Sequence, residues 1–226
     1  MGAHTSGLGP ADEGRHAAGD GPWWAERWFF GWSTATGGGF AELVLFPNQR
    51  RAWYRSALVV AGEPLLVVVD HEAPLPRVDL TLRAHELWAD HVVEAPFQQW
   101  TVANETRALS VDDPDDVVGR GYGDVVPIAF DLEWYASAEA RTAADEGGDG
   151  YEQDGEIDGV VELGGGVHLP VAARSTRSHT WGPLRLPAVG SEIVDVVGRV
   201  PDRWPAPFDV IVVDVLTADG WRRERR

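Results

Sequence analysis

Arg177, His179 and Trp181 occupy alternate positions of the stretch RSTRSHTWG, residues 174–182, with only Ser178 and Thr180 between them. In an extended chain, residues i, i+2 and i+4 share one face. One strand would therefore present a guanidinium, an imidazole and an indole in a row. Each has a chemical use. The imidazole can give and take a proton near neutral pH. The indole can stack on an unsaturated molecule or stabilise a developing cation with its π-face. A guanidinium turned inward needs a carboxylate, because an unpaired buried charge is costly; Glu26, Asp131 and Glu133 are the candidates on other strands. The same row also reads as a His–Arg hydrogen-bond network tying a strand end to a loop.

The aromatic residues form the second constellation. The chain has 11 Trp. Alternation along WWAERWFFGW puts Trp24, Glu26, Trp28, Phe30 and Trp32 on one face, and Trp23, Ala25, Arg27, Phe29 and Gly31 on the other. Together with Trp134, the rings of Trp24 and Trp28 could wall a barrel that holds an apolar molecule, with Arg177, Glu26 and Glu133 as its polar contacts. They could equally fill a core.

Other possible sites are weaker. His85 and His91 flank ELWAD, where strand spacing puts them on one face but far apart. They read as solvated strand residues, so no metal is expected, and no cofactor. GRGYG (119–123) opens no helix that would cradle a phosphate. No Gly-x-Ser-x-Gly nucleophile elbow is present. Cys is absent, which removes disulfides and thiolate metal sites.

The elements that must position these residues are strands. From residue 22 onward, short alternating or apolar runs are bounded by Pro, Gly, Asn or Asp, as in RRAWYRSALVVAG, EPLLVVVDHEAPLP and DVVPIAFDLEWYA. A hairpin is expected around Gly164–Gly166, and SEIVDVVGRV and FDVIVVDVLTADG read as the last strands. The pattern predicts an all-β, antiparallel barrel as a single domain over 22–217. Residues 1–21 read as a disordered tail, and 218–226 as a basic C-terminal tail.

Net charge is -17, from 36 acidic and 19 basic residues. That balance disfavours nucleic acid as a partner. The N-terminus lacks an apolar leader and no run is long enough to span a membrane, which points to a cytoplasmic protein.

The segment from Tyr151 to Gly182, ending in Arg177-Ser178-His179-Thr180-Trp181-Gly182, resembles the hydroxyneurosporene synthase (carotenoid hydratase) family and the related lipocalin-like cyclases, Diels–Alderases among them. WWAERWFFGW, FPNQRRAWYRSALVV and EAPFQQWTV are similar to the same group, so the resemblance covers most of residues 22–183. Ser178 stands where that family carries an acid. The resemblance implies a calycin barrel with an apolar pocket and with His179 and Trp181 as catalytic residues. The function expected is the binding of a terpenoid-, polyene- or polyketide-like molecule and its hydration, isomerisation or cyclisation. A non-catalytic carrier for such a hydrophobic ligand is the alternative.

Overall fold

The computed structural model describes residues 7–35, 37–60, 63–112, 123–143 and 149–183, and the backbone of three further strands. Among the described residues there is no α-helix. Strands β1 (Trp24–Ser33), β2 (Gly37–Phe46), β3 (Arg51–Val60) and β4 (Leu65–Pro74) follow as a meander. Then come β5 (Leu82–Ala84), β6 (Leu87–Ala95), β7 (Gln99–Val111), β8 (Asp124–Ala136), β9 (Arg141–Thr142), β10 (Asp149–Leu163) and β11 (Val167–Pro183).

The sheet runs β4-β3-β2-β1-β11-β10-β8-β7-β6-β5, with β9 on β10. It closes because β4 also pairs β7, Leu65 to Val111 and Val67 to Leu109. Every pairing in this sheet is antiparallel. The result is the expected all-β, lipocalin-like barrel. Closure satisfies the backbone groups that a free sheet edge would leave unpaired.

The hairpin between β10 and β11 shows how sequence sets this register. Gly165 and Gly166 take φ of 84° and 80°, a left-handed conformation that a side chain disfavours. They pair Leu163 with Val167, and that fixes each later partner up to Asp149 and Trp181. A slip of one residue would turn every side chain to the opposite face. In the observed register, Val171, Ser175, Arg177 and His179 are buried, while Ala172, Arg174 and Thr176 between them are exposed.

The barrel interior is packed with side chains, and the Trp28 and Trp134 rings, expected to wall an apolar pocket, lie within that packed core. Trp28, Phe30, Leu43, Tyr54, Trp100, Leu132, Trp134 and Ile157 are all buried within one cluster. A small cavity of about 10 Å³ remains between Trp32, Ser56, Leu66, Ile128 and Phe130, enough for roughly one water. Outward-facing Ala25, Val44, Phe46 and Trp53 form a separate cluster. Also on the outer face, Glu42 lies between Arg27 and Arg55. Burial pushes its carboxyl up, but the two guanidiniums outweigh burial and hold it below the usual range.

The chain ends differ from the expectation. Residues 192–195 and 212–217 do form strands, β12 (Glu192–Asp195) and β13 (Val212–Thr217), but they belong to a second, three-stranded sheet. Its third member, β14 (Gly220–Arg225), lies within the expected basic tail. Pairing with β13 orders its backbone, Val213 opposite Glu224 and Asp214 opposite Arg223. Of GRGYG, residues 119–122 lie outside the described residues.

Candidate functional site

Cross-strand register brings the row of β11 together with β1 and β10. His179 stands opposite Trp28 on one side and Tyr151 on the other. Arg177 stands opposite Phe30 and Gln153, and Trp181 opposite Glu26 and Asp149. Arg177 and His179 are 1% and 0% exposed, whereas Trp181 is half-buried.

Arg177 is held from every side. Its Nε donates to Gln153 Oε1 at 3.1 Å, Nη2 to the same oxygen at 2.6 Å, and Nη1 to the Tyr151 hydroxyl at 3.1 Å. Its guanidinium lies 4.7 Å from the Trp134 ring centre and 5.4 Å from that of Trp100. The counter-ion is none of Glu26, Asp131 and Glu133. It is Glu13, whose Oε1 accepts from Arg177 Nη2 at 2.6 Å. Glu13 also accepts from the Tyr151 hydroxyl at 2.6 Å and from Trp100 Nε1 at 2.6 Å. Burial pushes the Tyr151 phenol far above its ordinary value, so its hydroxyl stays a donor.

Glu13 comes from the segment expected to be a disordered tail, which from residue 7 onward is ordered against the barrel. A 3-10 turn, Pro10–Glu13, is closed by Gly9 N–H donating to the Asp12 carboxylate at 2.7 Å and by Asp12 N–H donating to Gly9 O at 2.8 Å. Arg15 reaches Pro76 O, and Asn48 Nδ2 donates to the carbonyls of Gly19 and Gly21. Few apolar residues mark this segment in the sequence. Its order comes from polar contacts with residues remote along the chain, and composition does not record those.

The same segment completes the surroundings of His179. The Asp12 carbonyl lies 2.9 Å from His179 Nδ1, and a carbonyl only accepts, so Nδ1 carries a hydrogen. The other nitrogen, Nε2, lies 2.9 Å from Glu26 Oε1. His16 Nδ1 approaches that oxygen at 2.7 Å, and the His16 backbone N–H donates to both Glu26 oxygens. The outer nitrogen of His16, Nε2, faces Asp12 Oδ1 at 3.4 Å. Rings fix the imidazoles: His179 stacks on Trp28 at 4.4 Å, and His16 on Trp181 at 3.7 Å. Burial lowers the His179 imidazole below its ordinary value, against the opposing pull of Glu26. The arrangement can therefore pass a proton between a buried imidazole and a buried carboxylate.

The remaining candidates divide. Trp28 and Trp134 do touch the centre, through His179 and Arg177 respectively. Trp24 is buried on the same face of β1, and a Cβ on Gly19 would stand 3.0 Å from its ring. Glu133 is not in the centre. Strand alternation turns it away from buried Trp134, and it accepts from Gln99 and Thr101. Asp131 is exposed for the same reason. His85 and His91 do not share a face: His85 lies exposed between β5 and β6, while His91 is 2% exposed in the interior. His91 contacts Phe30 and Tyr54, and burial pushes it down to about 4.

Asp12, Glu13, His16, Gln153 and Trp100 escaped the sequence reading. The acids and His16 sit in a low-complexity stretch, and no spacing links them to residue 177 or 179. The cue for Gln153 was its alternation with Tyr151, which repeats the period of the row on β11.

Residues 9–193 match a family described as a domain of unknown function, DUF7064. The match begins ahead of Asp12, Glu13 and His16, so the family's domain includes the segment that covers the centre. No curated protein and no solved structure matches the chain.

Proposed function

The chain belongs to the DUF7064 family, and we propose that this member is an enzyme acting on an apolar, unsaturated small molecule of terpenoid, polyene or polyketide type. The reaction class is hydration, isomerisation or cyclisation. His179 and Glu26 move the proton, and Trp181 is the aromatic surface against which the molecule lies.

One observation carries this reading: Glu26 Oε1 lies 2.9 Å from His179 Nε2, with both side chains buried. A carrier has no need of an acid beside the imidazole, whereas proton transfer to a carbon skeleton does. The Asp12 carbonyl fixes the tautomer, and the Trp28 ring fixes the plane. Arg177 is not available to the substrate, since Glu13, Gln153 and Tyr151 take its donors. Its part is to hold the strand that presents His179. Half-buried Trp181 links this centre to the surface.

The test starts from native mass spectrometry of the protein purified from its source, to find a co-purifying polyene or terpenoid. The parent and His179→Gln are then compared on that compound. The expected result is near-normal retention of the compound by the variant and a loss of about 10²–10⁴ in turnover. Parental turnover by His179→Gln would overturn the acid–base role and leave a cyclase that works by shape alone, whereas no turnover of the compound by the parent would leave the carrier function.

A further inference from the structure

We propose that His16, Glu26 and His179 form a binding site for one divalent transition-metal ion of the zinc type, with Asp12 orienting both imidazoles. The proposal uses the centre described above but does not depend on any reaction occurring there.

The inner atoms come first. One ligand atom from each of the three residues lies within 4.8 Å of the others. Glu26 Oε1 is 2.7 Å from His16 Nδ1 and 2.9 Å from His179 Nε2, so two imidazole nitrogens converge on one carboxylate oxygen. Two His and one carboxylate suit a borderline ion such as Zn²⁺ and leave a coordination position for water. The separations are those of hydrogen bonds, and a spread of a few tenths of an ångström would admit an ion at about 2.0–2.2 Å from each ligand.

The outer atoms make the case specific. A metal-binding imidazole donates its other N–H to a carbonyl or carboxylate, which fixes its tautomer. Here both outer nitrogens face the same residue: His179 Nδ1 the Asp12 carbonyl at 2.9 Å, and His16 Nε2 the Asp12 carboxylate at 3.4 Å. With hydrogens on those outer nitrogens, the inner ones present lone pairs to an acceptor oxygen. Three acceptors facing one another need a cation between them, either protons or a metal ion.

Charge and access agree. Two neutral imidazoles, Glu26 and Asp12 bring two negative charges to a divalent ion. Glu13 and Arg177 neutralise each other nearby. The His16 side chain is 21% exposed, which gives an ion a way in, and the chain's net charge of -17 draws cations. A bound ion would take the place of a proton between Nε2 and Oε1, so its uptake should release protons.

The experiment uses full-length protein stripped with a chelator and titrated with ZnCl₂ by calorimetry, and with CoCl₂ by visible absorption. The parent should take up about one ion per chain, with proton release and a low-symmetry cobalt spectrum. His16→Phe keeps a ring on Trp181 but offers no ligand, and should bind at least about a hundredfold more weakly. Asp12→Asn should weaken binding by about 10–100-fold with its melting temperature unchanged. No uptake by the parent would overturn the proposal, as would equal affinity in His16→Phe, which would assign the ion to surface carboxylates. Either failure leaves the His179–Glu26 proton pair standing. Loss of turnover in His179→Gln with zinc uptake absent would separate the two readings.

Discussion

Glu13 and Arg177 are 164 positions apart in the chain, yet they form an ion pair at 2.6 Å in which both side chains are 1% exposed. The pair joins the N-terminal segment to the strand that presents His179. It therefore sets the position of Asp12 and His16 as well as that of Arg177.

Breaking a buried pair by removing one partner costs about 3–5 kcal/mol, because the other charge stays buried. Arg177→Ala should lose stability in that range, and Glu13→Gln nearly as much. His179→Ala should lose less, since no comparable charge is stranded. Urea unfolding of the three variants checks the order. An Arg177→Ala midpoint equal to the parent's would show that the pair contributes nothing.

Gly155 positions the ring beneath Arg177. A Cβ there would stand 2.3 Å from Trp134 Cζ2 and 2.5 Å from the Tyr135 carbonyl oxygen. A Gly→Ala change often gains about 0.4–1 kcal/mol through the unfolded chain. Here overpacking opposes it at about 1–3 kcal/mol. Gly155→Ala should be net destabilised, with an altered near-ultraviolet circular dichroism from Trp134. A stabilised variant with a parental spectrum would contradict the packing described.

His91 should make stability depend on pH. Burial holds its folded-state value at about 4, against the ordinary 6.5 of an imidazole. Between those values the unfolded chain binds a proton that the folded protein refuses. Stability is complete above about pH 6.5 and falls as pH drops toward 4, by up to about 3 kcal/mol. His91→Phe removes the titration while filling the space between Phe30 and Tyr54. Its unfolding free energy, measured at about pH 7 and about pH 4, should fall less than the parent's. Equal losses in both would put the acid sensitivity elsewhere.

Much of the barrel was legible in the sequence, because strand structure is a local pattern. Alternation on β1 and β11 reports which side chains share a face, and Gly165 and Gly166 report where the hairpin turns. That Arg177 and His179 share a face followed from the period, and that the face turns inward was expected from the period together with the family resemblance. The second sheet did not, since apolar runs at 192–195 and 212–217 look the same whichever sheet they join. Nor did the roles of individual acids. Glu26, one of three candidate partners for Arg177, meets His179 instead, and Glu133 shares a strand with Trp134 but faces the other way. The choice of Glu13 as counter-ion, and of Asp12 and His16 as neighbours of His179, belongs to the tertiary structure alone. Periodicity is set by the backbone of a few neighbouring residues, whereas the pairing of a buried charge is settled by which remote segment can bring a carboxylate to it without water.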